Sequence, residues 1–409
     1  MKVLMLGNRI PFPLNDGGNL AVSNMIEGLL TENIKLSLLL MNTSRHWVDE
    51  NNLPPIFKNV AALKLVPVDN RIKPLDALYH FIKKNSYNLA RFKTDIFEEA
   101  LIEILKKEKY DLIILEGLYV TPYLNIIRKH TNTLICYRQH NVEFQIWERL
   151  AHNTQNKFKK FYYKKLAVAL KKYEIEMCNQ YDCIAAISPI DAAYYKKLGC
   201  NLPILNIPYG LKSEQLPTKQ ADFTAPLKLY HIGAMDWLPN IKAINWFLKK
   251  VWPLILEKAA DTTLYLAGRN MPDSFKTGKW KNVFVLGEVP DAKEFESDKH
   301  ILIVPLNSGG GLRIKILESM AAGKAVISTS IGIQGMDPTI SENEVIIADN
   351  IEAFANACLN LLSNPKLAKE LGNNAKIFIE NKYSQSVVIK KLLEEIKKIN
   401  LERKEQNKI

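Results

Sequence analysis

Residues 301–323 read ILIVPLNSGGGLRIKILESMAAG. The unbroken apolar run at 301–305 has the length of a buried strand. Three glycines follow it, Gly309, Gly310 and Gly311, and a helix is expected immediately after them. A strand that ends in glycines and re-emerges as a helix is the βα junction of a parallel α/β sheet. Glycines at such a junction let backbone N–H groups approach an anion, and the helix start adds a favourable dipole. Arg313 and Lys315 supply fixed positive charge beside the turn, suited to a diphosphate. Glu318 lies one turn deeper, where a carboxylate can accept hydrogen bonds from ribose hydroxyls. Triple glycine alone is equally an ordinary turn; the Arg, Lys and Glu at these offsets favour the phosphate reading.

The same alternation extends outward in both directions. Apolar runs of strand length stand at 3–6, 35–41, 62–66, 112–115, 134–137, 183–187 and 204–207. After a polar, proline-bearing stretch around 216–226 the pattern restarts at 227–232, 263–267, 283–286, 301–305, 325–329 and 345–347. Runs rich in Val, Ile and Leu, separated by helix-length segments, imply parallel sheets covered on both faces. The expected architecture is α/β, with two Rossmann-like doubly wound domains facing across a cleft. The expected divisions are a first domain at 1–212, a linker at 213–226, a second domain at 227–383 and a last helix at 384–409. That helix would carry Val387, Val388, Leu392, Leu393 and Ile396 on one side, and its end at 402–409 would fray. Ser188 and Pro189 open another helix that Gly199 closes. Open α/β sheets bind ligands outside the carboxyl ends of their strands, so chemistry belongs in the loops that follow strands.

The 409 residues fit two domains of ordinary size. Hydrophobic residues form 47% of the chain and charged residues 24%, a globular composition that argues against disorder or fibre. A formal net charge of +12 suits an anionic small substrate or an anionic membrane surface. No finger, basic zipper or RNA-binding aromatic signature is present, so nucleic acid is not an expected partner. The five cysteines, Cys136, Cys178, Cys183, Cys200 and Cys358, lack zinc-ligand spacing and are read as small buried hydrophobes. The apolar run at the start turns polar at Asn8 and Arg9, too early for a signal peptide, and no stretch reaches membrane-spanning length. A cytoplasmic protein is expected, with peripheral attachment to a membrane as a further option.

Three other segments carry candidate chemistry. Pro11 to Asn19, with Asp16, Gly17 and Gly18, forms a second strand–glycine–helix junction, with its helix expected near Leu20. It is not G-x-G-x-x-G and so does not argue for a dinucleotide. Tyr137 to Glu143 gathers polar groups after a buried strand. His140 stands where a strand end meets the expected cleft and can donate to a sugar hydroxyl or move a proton. Residues 157–165, KFKKFYYKK, mix lysines with aromatics in a way that suits an anionic bilayer. The preferred reading of this segment is plainer, a solvated helix face with its aromatics turned inward.

Taken in order, these motifs resemble the family 4 glycosyltransferases of the GT-B fold, also known as glycosyl transferases group 1. Nearest is the bacterial branch with G-x-M-D-W-x-P-N, which stands here as Gly233-Ala234-Met235-Asp236-Trp237-Leu238-Pro239-Asn240. The resemblance covers nearly the whole chain and includes His140-Asn141-x-Glu143, Ile187-Ser188-Pro189 and Pro208-Tyr209-Gly210. Gly287-Glu288-Val289 and the glycine loop through Gly323 complete it. It implies a hexose-type transferase whose second domain holds a nucleotide-diphosphate sugar, with Gly309, Gly310, Gly311, Arg313 and Lys315 on the phosphates and Glu318 on the ribose. Asp16, Gly17, Gly18, Asn141 and Glu143 would lie between donor and a glycan or lipid-linked acceptor, with His140 and Glu318 as the catalytic pair. It further implies retention of anomeric configuration, no cofactor and no bound metal, in bacterial surface polysaccharide, lipopolysaccharide or glycan assembly. Two positions depart from the pattern. Gly310 stands where the first glutamate of E-x7-E belongs, and the basic pair after the first strand of the second domain is replaced by Asp236 to Asn240, leaving Arg269 as a further candidate cation. The rival readings are a sugar-nucleotide epimerase and a non-catalytic nucleotide-sugar-binding subunit.

Overall fold

In a computed structural model of the chain, the residues described are all except 15, 16, 74, 77, 78, 80–85, 213–221, 225, 277, 279 and 407–409. Each apolar run named above is a strand; the inner ones are buried on both faces, while the edge strands at 62–68 and 283–287 alternate between buried and exposed residues. The chain divides into Met1–Gly210 together with Val388–Ile409, and Leu211–Val387.

The first unit is built on β1 (Lys2–Gly7), β2 (Lys35–Thr43), β3 (Ala62–Val68), β4 (Leu112–Glu116), β5 (Leu134–Gln139), β6 (Cys183–Ala186) and β7 (Ile204–Asn206). They form one sheet in the order β3-β2-β1-β4-β5-β6-β7, with every neighbouring pair parallel. Val3 and Met5 point into one apolar core and Leu4 and Leu6 into the other, on the opposite side of the sheet. The second unit uses β8 (Leu229–Ile232), β9 (Leu264–Ala267), β10 (Val283–Gly287), β11 (Ile301–Val304), β12 (Ala325–Ser328) and β13 (Ile346–Ile347). Its order is β10-β9-β8-β11-β12-β13, again parallel throughout. In each sheet the winding reverses once, between β1 and β4 and between β8 and β11. A doubly wound sheet opens a crevice at such a reversal.

The last helix, Gln385–Gln406, starts where the Gln385 N–H donates to the Leu211 carbonyl. From Val388 onward its apolar face, with Leu392, Leu393 and Ile396, is buried in the first unit's core beside Val3 and Met5. Val387 is not part of that face. It is exposed, because the buried stripe runs through Val388, Ile389 and Leu392 at helical spacing. Residues 402–406 continue the helix rather than fraying. Ser188 caps the helix Pro189–Lys197 by accepting from the Asp191 N–H, and Gly199 follows with φ of 88°. The expected linker lies largely outside the described residues, and all five cysteines are buried free thiols.

The basic aromatic segment opens the helix Lys157–Met177, capped by the Asn156 side chain. Its aromatics turn inward only in part: Tyr162 and Tyr163 are half-buried, with Tyr163 against Trp147, while the two phenylalanines face outward. Phe158 is 88% exposed and Phe161 56%, because the buried face is taken by Leu166, Ala167, Leu170 and Glu174.

Candidate functional site

In the second unit the reversal point is assembled by glycines. A Cβ on Gly268, just after β9, would stand 1.8 Å from the Gly233 carbonyl oxygen, so only glycine lets these two strand ends close together. A Cβ on Gly233 would in turn meet Asn240 Nδ2 at 2.9 Å and Lys315 Nζ at 3.0 Å. The space that Gly233 leaves open is filled by a lysine ammonium held on two sides. Lys315 Nζ lies 3.2 Å from His231 Nε2 and 3.2 Å from Asn240 Oδ1. Asn240 Nδ2 donates to the Ala234 carbonyl at 2.8 Å, which turns its oxygen toward the lysine. His231 is fully buried on β8, and its Nδ1 is 2.8 Å from the Ile303 carbonyl on β11. Burial, reinforced by the neighbouring Lys315, pushes the imidazole well below its usual range. A neutral ring then donates through Nδ1–H to Ile303 and accepts from the lysine at Nε2. Burial first, and Arg313 second, push Lys315 down to about 7. Among the described residues no carboxylate pairs with either cation.

Arg313 immediately precedes the helix Ile314–Ala321 and is itself buried. Its Nη1 donates to the Gly310 carbonyl, its guanidinium carbon lies 5.0 Å from the Trp237 ring centroid, and Nε and Nη2 have no hydrogen-bond partner. Burial pushes it down to about 10. The glycine turn is therefore not the bare loop that its sequence suggests. Gly309 has φ of 111°, and a Cβ there would meet the Trp237 ring at 2.8 Å. The indole packs onto the glycine because no side chain stands in its way, and the arginine, lacking a carboxylate, settles on a carbonyl and an aromatic face.

Glu318 is raised by burial, against the pull of Lys293. A second carboxyl, Glu296, stands close enough that Glu318 adds to the effect of burial, and together they push it up to about 7. Glu296 accepts from Ser319 Oγ at 3.4 Å. Arg269 stands apart in character from the buried cations, being about half exposed and paired with Asp236 at 3.2 Å. His231, Trp237 and Glu296 were not read as site residues. Their signals were a histidine inside an apolar strand, a tryptophan three residues before Asn240, and an acidic residue five positions before the strand that feeds the glycines.

In the first unit a cavity of about 320 Å³ opens at the carboxyl ends of β1, β2, β4 and β5. Gly18, His140, Asn141 and Glu143 line it. Gly17 and Gly18 do not form a loop, since they are the first residues of the helix Gly17–Thr31, and Asp16 lies outside the described residues. His140 Nε2 donates to Glu116 Oε1 at 2.5 Å, and Arg138 Nη1 donates to the same oxygen at 3.1 Å. Burial alone would raise Glu116, but Arg138 and His140 outweigh it and hold the carboxyl below its usual range. Glu116, unremarked in the sequence, closes β4 as the single charge in an apolar strand and orients the histidine. Glu143 opens the helix Glu143–Asn153, receives a hydrogen bond from Tyr119 at 3.0 Å and is raised by burial. That helix start is pinned from below, because Glu174 accepts from the Phe144 N–H at 2.9 Å and from the Tyr195 hydroxyl at 3.0 Å. Among the described residues no group of three or more His, Cys, Asp and Glu is placed to hold a metal ion, and no helix is long and apolar enough to cross a membrane.

Residues 226–364 match the family described as Glycosyl transferases group 1. An uncharacterised 44.6 kDa protein in the cps region of Klebsiella pneumoniae is 24% identical over 96% of this chain and 99% of its own length. The structure is similar to sucrose-phosphate synthase of Thermosynechococcus elongatus, with a TM-score of 0.63, 16% identity, and 98% and 100% of the two chains covered. It is equally similar to HepE of Anabaena in complex with UDP, with a TM-score of 0.63, 11% identity, and 97% and 100% covered. The cluster around Lys315 thus lies within the segment that matches Glycosyl transferases group 1, and the two parallel sheets give the chain the GT-B fold.

Proposed function

We propose that this protein transfers a hexose-type glycosyl group from a nucleotide-diphosphate sugar, held by the second unit, to a glycan or lipid-linked acceptor held by the first. The observation that carries the reading is the pair Arg313 and Lys315, two buried cations beside a glycine turn with no carboxylate partner among the described residues. Uncompensated buried cations are costly unless an anion completes them, and a diphosphate is the anion this donor class supplies. Gly309, Gly310 and Gly311 contribute backbone N–H groups, Glu318 takes the ribose hydroxyls, and Arg269 borders the phosphates. The UDP bound by HepE of Anabaena supports the donor class, and the cps-region relative supports a place in surface polysaccharide assembly.

As the leaving diphosphate gains charge, Arg313, Lys315 and the helix start at Ile314 stabilise it in the way a metal ion otherwise would. His140, oriented by Glu116, faces the transferred sugar, with Gly18, Asn141 and Glu143 around the acceptor. Transfer retains anomeric configuration and needs neither metal nor cofactor in this reading. A thermal-shift screen against UDP-, GDP- and ADP-sugars tests the donor class, and stabilisation by none of them overturns it. Incubation with the stabilising sugar nucleotide alone separates transfer from epimerisation, since an epimerase alters the sugar without an acceptor. Glu318→Gln is expected to lower turnover at least tenfold while moving thermal unfolding by no more than about 2 °C, because it removes a charge but little volume. A collapse of the fold in that variant would assign Glu318 to structure.

The protein works on the cytoplasmic side, bound peripherally to an anionic membrane through the helix Lys157–Met177. Phe158, Phe161, Val168 and Ile175 lie on one stripe of that helix and are 88%, 56%, 66% and 40% exposed. Lys157, Lys164, Lys165 and Lys172 share that face, interleaved with the apolar side chains, and turn positive charge toward the same anionic surface. Pelleting with vesicles containing phosphatidylglycerol is expected to capture the parent chain, and Phe158→Ser with Phe161→Ser to abolish capture. Pelleting unchanged by these substitutions counts against the stripe.

A further inference from the structure

The first unit's cavity is more cationic than an acceptor of neutral hydroxyls requires. Three arginines reach it from three separate segments. These are Arg9 after β1, Arg45 in the turn after β2, and Arg91 after the short helix Tyr87–Ala90. His46 joins them. Arg91 is the most firmly built of the set. Its Nη1 donates to the Asn70 carbonyl at 2.9 Å and its Nη2 to Asn88 Oδ1 at 3.3 Å. Its guanidinium carbon lies 5.7 Å and 5.8 Å from the ring centroids of Tyr87 and Phe92, and its buried Nε has no partner. Asn70, itself buried, also accepts from the Arg45 N–H at 3.3 Å through its side chain. One asparagine therefore holds the Arg91 guanidinium and the backbone of Arg45.

The Arg91 guanidinium is held by neutral groups. Among the described residues neither Arg45 nor Arg91 forms an ion pair with a carboxylate. Of the two acids in the cavity wall, Glu116 is already matched by Arg138 and His140, and Glu143, raised by burial, accepts from the Tyr119 hydroxyl at 3.0 Å. Arg91 is lowered by burial and then by the repulsion of Arg45, so an arriving anion relieves both costs at once. A single carboxylate, with one negative charge, leaves such a set overcharged. A phosphate ester carries close to two charges near neutral pH, and a diphosphate ester carries more.

We propose that this cavity receives the acceptor by a phosphate or diphosphate ester, seated on Arg91 and Arg45, with Arg9 and His46 at its edge. The ester is bound intact and takes no part in bond making; it positions the acceptor sugar or lipid group beside His140. The proposal rests on the first unit's being the acceptor side, and it names the acceptor's chemical class.

The test uses the full chain with a nucleoside diphosphate added to one equivalent rather than in excess, so that the cations of the second unit are occupied while the arginine seat, which would itself accept a diphosphate ester, stays open. Geranyl diphosphate, inorganic pyrophosphate and geraniol are then titrated by calorimetry. Both diphosphates are expected to bind and geraniol not to, with affinity falling as salt rises. Arg91→Gln and Arg45→Gln should each weaken the diphosphates about tenfold or more, as expected for truncating one side of a charge pair. Arg45 is exposed, so its variant stays informative even where Arg91→Gln fails to fold. Geranyl diphosphate at least tenfold tighter than pyrophosphate assigns a lipid-linked acceptor, and equal affinities assign a soluble phosphate ester. No binding of either diphosphate, or parent affinity in Arg45→Gln, overturns the proposal. Lys315→Ala measured alongside separates the two readings. If it leaves nucleoside-diphosphate binding unchanged, the donor assignment fails while the arginine seat is judged on its own variants.

Discussion

Lys315→Ala is expected to weaken nucleoside-diphosphate binding by roughly 100-fold while changing nucleoside binding less than about twofold. A charge-assisted hydrogen bond to a buried ammonium is worth about 1.5–3 kcal/mol, and each ~1.4 kcal/mol is a factor of ten. The lysine is also preorganised. His231 and Asn240 occupy two of its protons, so the third direction is set before the ligand arrives. Arg313→Ala should act in the same sense but less strongly, since that side chain must first leave the Gly310 carbonyl and the Trp237 ring. Calorimetry with matched nucleoside and nucleoside diphosphate decides the matter. Equal losses for both ligands would show that these residues do not read the phosphates.

The same lysine makes a statement about pH. Its folded value of about 7 lies below the usual 10.5, so between those two values the unfolded chain holds a proton that the folded chain gives up. Stability of the ligand-free protein therefore falls as pH drops from 10.5 toward 7, and the penalty is fully present below 7. Lys315→Met removes it. The variant should melt above the parent by several degrees at pH 6.5, with the gap closing toward pH 10. A diphosphate reverses the shift by favouring the charged amine, so binding at pH 8 should take up a proton and binding at pH 5.5 should not. Calorimetry in buffers of different ionisation enthalpy measures that uptake directly.

His140→Ala is expected to lower turnover by about 10²–10⁴-fold, the usual range for removing a positioned proton-transfer or charge-stabilising group. Nucleoside-diphosphate affinity should remain at the parent level, because the ring belongs to the first unit's cavity. Glu116→Gln separates position from stability. The carboxylate serves both Arg138 and His140 through one oxygen, and Arg138 is almost wholly buried. Neutralising it leaves the guanidinium without a counter-charge, at a cost of about 3–5 kcal/mol. A lowered melting temperature with a further loss of turnover is expected. Parent-level turnover in His140→Ala, with acceptor saturating, would remove the histidine from the chemistry.

What could be read before folding was periodic or local. The runs that became β1 to β13, the cap at Ser188 and the glycine turn at 309–311 depend on neighbours within a few residues, so order along the chain is enough to expose them. Boundaries were less legible. The first helix begins at Gly17 rather than near Leu20, since glycines after a strand signal a turn and a helix start equally well. Phe158 and Phe161 were expected to turn inward, yet helical phase assigns the inward face to Leu166 and Leu170.

Charge compensation was set by the fold. Arg313, Lys315 and Glu318 stand close in sequence, but His231 lies 84 positions from the lysine it holds, and Glu116 lies 24 positions from His140. Nothing in the residues around Gly309 announces that Trp237 will lie upon it. Asn70 gives no sign in the chain that it will tether two arginines. Backbone preference and hydrophobic period act over a few residues, and so the alternation of strands and helices was written in their order. Desolvation and Coulomb forces act through space, and which charges go unpaired was settled only when β8 met β11 and β1 met β4.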